Sequence, residues 1–227
     1  MVLKKMENRF KDINLNFNYG SIKENKFMAQ DMALIDFVSK GNMEESSILL
    51  EKTNNNINIK NVVVGELNTN CYIVENEEEC LIIDPGDEFL KIKEAIDKKV
   101  VGVLLTHRHF DHIGALNKCL DYYNTDVYSF NNLNEGKNII NGFEFDVIFN
   151  PGHTMDSISF IFNNIMFSGD FIFKGTIGRW DIGGNIEIMR DSIRRILDSK
   201  INYVIYPGHG DSTMLDNERK MLESYIS

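Results

Sequence analysis

All five histidines of this chain fall in short motifs: His107, His109 and His112 in THRHFDH, His153 in PGHT and His209 in PGHG. Asp111 lies inside the first motif and Asp170 in SGD, so four separated segments contribute five imidazoles and two carboxylates. Neutral imidazole and carboxylate are the usual protein ligands of zinc, iron and manganese, and this set is large enough for two ions. A lone histidine is more often a surface or core residue than a ligand. Three histidines and an aspartate within six residues, directly after the apolar run Val100 to Leu105, have no packing rationale, because buried polar groups need partners.

Two divalent ions held by this set bring four positive charges. Asp111 and Asp170 neutralise two and a shared hydroxide a third, so an anionic transition state is favoured beside them. Coordination lowers the pKa of water to about 7, which provides a nucleophile at neutral pH without a serine or cysteine. Hydrolysis of an ester-like bond is the expected outcome, and a thioester suits it because thiolate leaves readily. Asp111 is expected to orient the hydroxide as well as to bind metal. Other nucleophiles find no support: Cys71, Cys80 and Cys119 show no CxxC spacing and none adjoins a histidine, and neither a Gly-x-Ser-x-Gly elbow nor a P-loop is present. The cysteines lie in strand-like and helix-like runs and read as buried, inert thiols.

The elements that must carry these residues follow from periodicity. VVGVLL reads as a buried strand, and a period of two puts His107 and His109 on one side just beyond its end, with Asp111 and His112 following as the chain turns. His112 opens a helix-like stretch, Ile113 to Tyr123, which places the cluster at a strand-to-helix junction on the carboxyl edge of a sheet. Strand-like segments near 57–64, 70–75 and 79–84, a helix near 88–98 and helix-like runs near 186–198 and 214–226 suggest alternating sheet and helix layers. Asn141-Gly142 and Asn163-Asn164 mark hairpin turns. Residues 1–56 contain two short helical patterns, about 28–40 and 43–52, split at Gly41-Asn42 and followed by the linker-like Thr53-Asn54-Asn55-Asn56. They read as an extension packed on the outside; the functional alternative is a lid, a contact that makes a homo-oligomer, or a partner-binding module.

In that order, THRHFDH, PGHT, SGD and PGHG resemble the metallo-β-lactamase-fold hydrolase superfamily, and GDFIFKGTIGRWD, Gly169 to Asp181, resembles its glyoxalase II (hydroxyacylglutathione hydrolase-like) branch. LNTNCYIV, Leu67 to Val74, and LIIDPG, Leu81 to Gly86, are similar to the first strands and first acidic motif of that family. The resemblance covers about residues 57–227 and implies an α/β (α+β) fold, a four-layer αββα sandwich with the metals at one edge between the sheets. It implies that His107, His109 and His153 bind one ion, that Asp111, His112 and His209 bind the other, and that Asp170 bridges them; zinc is the expected metal, with iron and manganese as alternatives. Asp84 is either the family's buried carboxylate that orients ligand histidines or a turn aspartate before Pro85-Gly86. Arg179 falls where glyoxalase II enzymes often place a basic residue that contacts an anionic end of the thiol portion, or it is a structural arginine tied to Asp181 or Asp170. Trp180 forms an apolar wall or fills the core.

The pattern also departs from that branch. Larger glyoxalase II enzymes carry a C-terminal helical domain that helps hold glutathione, whereas this chain ends 18 residues after His209. Asp181 stands where an aromatic residue is often found, and Met155-Asp156 follows PGHT where many relatives have Pro-Gly. The resemblance leaves two other readings open: a persulfide dioxygenase-like enzyme with a single iron held by two histidines and an aspartate, and a metal-binding sensor or interaction protein.

Composition agrees with a soluble enzyme. A chain of 227 residues with 43% hydrophobic residues can bury one sizeable core plus a small appendage. No run of about 18 apolar residues is present and the N-terminus is too polar for a signal peptide, so no membrane partner, a cytoplasmic location and reduced cysteines are expected. The net charge of −10 argues against a broad nucleic-acid surface. The expected partner is a small-molecule thioester or ester.

Overall fold

Strands that are apolar on both faces dictate what must be packed around them. In the computed structural model, which describes residues 57–227, β1 (Asn58–Val64), β2 (Thr69–Glu75), β3 (Glu79–Ile83), β4 (Lys99–Leu104) and β5 (Val127–Tyr128) form one sheet in that order. The first two pairings are antiparallel and the last two parallel. A second sheet has the order β13 (Thr213–Met214), β12 (Val204–Pro207), β9 (Ile165–Gly169), β8 (Ile158–Phe162), β7 (Phe143–Phe149) and β6 (Gly136–Ile140), with only β12 and β9 parallel. A small hairpin joins β10 (Ile172–Phe173) to β11 (Thr176–Ile177). The helices expected at 28–40 and 43–52, and any role for residues 1–56, lie outside the described residues.

Alternation along β2 and β3 sends Tyr72, Val74, Leu81 and Ile83 toward the second sheet, and Cys71, Ile73, Cys80 and Ile82 toward a helical layer. Between the sheets these residues meet Phe143, Phe145, Phe160, Phe162 and Phe167. The helical layer on the first sheet is α1 (Phe89–Glu94), α2 (Phe110–Ile113) and α3 (Leu116–Tyr123), which contribute Ile92 and Cys119 to a buried cluster. Over the second sheet, Met189, Ile193 and Ile196 of α4 (Ile186–Leu197) and Leu222 of α5 (Leu215–Ile226) cover Met166 and Ile205. The result is the expected four-layer αββα sandwich.

Both hairpins form where the turn residues indicated. Asn141 (φ 43°) and Gly142 (φ 84°) occupy the left-handed region as a two-residue type I′ turn requires, and Asn163 (φ 58°) opens the turn between β8 and β9. Two helices differ from their sequence patterns. α1 stops at Glu94 instead of near 98, because Ala95 and Ile96 close tight i→i+3 bonds to Ile92 and Lys93, and the chain must turn at once to begin β4 parallel to β3.

The helix expected from Ile113 starts earlier, at Phe110, and breaks at Gly114–Ala115. Ala115 N donates to Pro85 O (3.0 Å), and a methyl on Gly114 would come within 2.2 Å of Gly86 O. A methyl on Gly86 would in turn lie 1.9 Å from Asp111 O. The two glycines thus let the loop after β3 press directly against the histidine motif after β4.

Candidate metal centre

Three strand ends meet at one edge of the sandwich. β4 runs into Thr106 and His107, β9 ends one residue before Asp170, and β12 ends two residues before His209; His153 follows β7. Asp84, buried at the end of β3, fixes the first of these ends: its carboxylate accepts from Thr106 N (2.8 Å) and Thr106 Oγ1 (2.6 Å). The same carboxylate lies 3.0 Å from His112 Nδ1. Asp84 also has φ 50°, so it makes the turn before Pro85 and contacts a site histidine at once.

The donor atoms converge in two groups. His153 Nε2 lies 3.2 Å from His107 Nε2 and 2.8 Å from His109 Nδ1. In the second group Asp111 Oδ2 is 3.5 Å from His112 Nε2 and 3.2 Å from His209 Nε2. Asp170 stands between them, with Oδ1 3.3 Å from His112 Nε2 and Oδ2 3.3 Å from His153 Nε2.

These separations fit metal ligation. Four ligands at 2.0–2.1 Å around a tetrahedral zinc sit about 3.3 Å from one another. A second observation agrees: His112 Nε2 and Asp170 Oδ1 are buried and face each other, 3.3 Å apart and outside hydrogen-bond geometry, so a cation between them would satisfy both.

The imidazoles are held in the tautomer that ligation needs. His153 Nδ1 donates to Arg179 O, His209 Nδ1 to Leu67 O (3.1 Å), His107 Nδ1 to Thr106 Oγ1 (3.1 Å) and His112 Nδ1 to Asp84. With Nδ1 occupied, each of the four rings directs Nε2 at the cluster, where His112 gains a lone pair once its proton leaves. Burial holds His107 and His153 below the ordinary histidine range. At His112, burial is outweighed by Asp170 and Asp84, which push it up to about 10. Burial is likewise outweighed at Asp170 by His112, and at Asp111 by His209, His112 and Thr69, so both carboxylates stay ionised below their usual range. A divalent cation held here would meet two carboxylates already charged and would displace a proton from His112.

The outer residues behave differently from one another. Arg179 extends into solvent and grips Asp181 with both arms (Nε to Oδ1 2.9 Å, Nη2 to Oδ2 2.8 Å), so the contribution it makes to the centre is its carbonyl, which braces His153. Trp180 is half-buried against the helical layer beside Tyr225, in keeping with a core role.

Three supports went unread in the sequence. Thr69 Oγ1 donates to Asp111 Oδ2 (3.0 Å); Asn70 Nδ2 donates to Pro207 O (3.0 Å) and Gly210 O (2.9 Å); and Tyr72 Oη donates to Pro207 O (2.7 Å). Their one signal was two polar residues opening the apolar strand β2. Gly208 is a further requirement, since a methyl there would lie 2.3 Å from Asp170 Oδ1 and 2.7 Å from the His112 ring.

The family model of the metallo-beta-lactamase superfamily matches residues 64–132 and 120–209. The chain belongs to this superfamily. A probable metallo-hydrolase of Bacillus subtilis, YqgX, is 33% identical over 187 residues, 66% of this chain and 89% of that protein. Hydroxyacylglutathione hydrolase GloC of Haemophilus influenzae is 28% identical over 203 residues, 72% of this chain and 96% of its own length. The crystal structure of TTHA1623 in a di-iron-bound form is similar with a TM-score of 0.63 and 29% identity, covering 70% of this chain and 96% of that one. Relatives in this metallo-beta-lactamase superfamily thus include hydroxyacylglutathione hydrolases and metallo-hydrolases, consistent with the glyoxalase II-like stretch Gly169 to Asp181. The chain is a metal-dependent hydrolase of that fold, a fold that binds divalent metals. Among the described residues no helix is long and apolar enough to cross a membrane.

Proposed function

We propose that residues 57–227 form a dinuclear hydrolase that cleaves a small thioester or ester. The observation that carries this reading is the convergence of seven donors into two groups with Asp170 between them. His107, His109 and His153 would hold one ion, Asp111, His112 and His209 the other, and Asp170 both. When bound, such a pair of ions supplies a hydroxide nucleophile at neutral pH and polarises the acyl carbonyl.

The chain's own groups do the positioning. Asp84, Thr106, Leu67 and Arg179 hold four imidazoles with Nε2 facing inward. Thr69 fixes the Asp111 carboxylate, which orients the attacking oxygen. Asn70 and Tyr72 clamp the His209 loop of one sheet to β2 of the other, keeping the two halves of the centre at a set distance. A thioester is favoured as substrate because the departing thiolate needs no strong acid, and this centre offers none beyond its histidines.

Hydrolysis of S-lactoylglutathione, followed as loss of thioester absorbance with the metal-loaded protein, tests the substrate. Turnover that disappears with a chelator and returns with zinc or iron is expected. Absence of thioester turnover, with oxygen uptake on adding glutathione persulfide, would replace this reading with an iron dioxygenase.

A further inference from the structure

Beside His209 lies a shallow cavity of about 390 Å³ lined by Phe173, Lys174, His209, Gly210 and Asp211. The Phe173 ring meets the His209 ring edge-on, with centroids 6.0 Å apart, so one wall is aromatic. Its two charges are Lys174 and Asp211, joined by one contact, Nζ to Oδ2 at 3.0 Å, with 60% and 79% of their side chains exposed. An exposed pair of this kind contributes little and exchanges partners readily.

The element that carries Lys174 is nevertheless fixed. Lys174 and Gly175 form the turn between β10 and β11, and Gly175 N donates to Glu218 Oε2 (2.8 Å). Glu218 is buried on α5, and its other oxygen accepts from Thr213 Oγ1 (2.6 Å). An anchored turn thus presents the Lys174 ammonium in a cavity shared with His209. Arg179, the basic residue that the sequence suggested for an anionic substrate, holds Asp181 by two contacts where Lys174 holds Asp211 by one. The chain as a whole carries a net charge of −10, which repels anions unless a local cation receives them.

We propose that Lys174 binds the anionic end of the substrate, exchanging Asp211 for a carboxylate on the thiol portion of the thioester. This assignment rests on the thioesterase reading above. Asp211 then acts as a resting counter-ion, and the preferred substrates are thioesters of acidic thiols.

The test separates binding from turnover. S-methylglutathione, an uncleavable thioether with the same carboxylates, is titrated calorimetrically into the metal-loaded wild type, Lys174→Met and Asp211→Asn at low and high salt. The expected result is a Kd about fivefold weaker in Lys174→Met, a tighter Kd in Asp211→Asn, and a wild-type Kd that weakens with salt. Opposite signs in the two variants are not expected of residues that only hold the turn. Equal Kd values in wild type and Lys174→Met, changes of the same sign in both variants, or no measurable binding to wild type would overturn the proposal.

Turnover of S-lactoylglutathione and of the uncharged analogue S-lactoylpantetheine is measured alongside. Lys174→Met should lower kcat/KM for the first relative to the second. If wild type cleaves neither, the thioesterase reading fails while the thioether titration still decides whether Lys174 receives a carboxylate.

Discussion

Asp84 reaches His112 at Nδ1 and leaves Nε2 to the centre; its role is to hold Thr106 and His112 in place. Asp84→Asn should therefore weaken metal affinity about 10- to 100-fold while leaving the fold intact, measured as the zinc Kd and the circular dichroism spectrum. An unchanged Kd would reduce Asp84 to a turn residue. Protons compete for the same atoms. In the metal-free protein Asp170 and Asp84 overcome burial to raise His112 to about 10, so at neutral pH an incoming ion must expel its proton. Below that pH, affinity should rise as pH rises, with protons released on binding; calorimetry in buffers of different ionisation enthalpy reads this directly. At this scale the clustering of imidazoles and carboxylates was legible because they stand together in short motifs. Thr69 and Asn70 were not, because their partners lie 42 and 137 positions away, as Asp111 and Pro207, and no local pattern encodes such a bond.

Elements were legible where burial imposes a period. β2, β3 and β4 read as apolar runs because helices cover one face of their sheet and a second sheet the other, and Asn-Gly marked the β6–β7 turn through its backbone freedom. Helix boundaries were less legible. The break between α2 and α3 is set by the Pro85–Gly86 loop pressing on Gly114, a tertiary contact that local propensity cannot report. The cysteines are packing residues of this layer: burial pushes Cys80 and Cys119 up to about 12, and all three are free and buried. Cys119→Ser should keep metal content and activity but lose about 1–3 kcal/mol of stability in urea unfolding, the cost of burying a hydroxyl in an apolar site. Loss of metal together with retained stability would contradict that assignment.

At the scale of the whole molecule, the centre exists only where the two sheets dock. His107, His109, Asp111 and His112 follow β4 of the first sheet, whereas His153, Asp170 and His209 follow strands of the second. An ion bound by both halves ties the layers together, so folding and metal binding are linked. Metal at a hundredfold excess over its Kd should raise stability by about 2.7 kcal/mol, seen as a fall in Tm on chelation that is reversed by adding metal back. The four-layer order was legible through resemblance and the alternation of strand and helix patterns, while the cross-sheet clamp by Asn70 and Tyr72 became visible only in three dimensions.

The central claim is that Asp170 joins two ligand groups into one dinuclear site, and metal stoichiometry tests it most directly. Elemental analysis of wild type prepared without added metal should give about two divalent ions per chain, falling in Asp170→Asn. One ion per chain in wild type, unchanged by that substitution and by added metal, would contradict it.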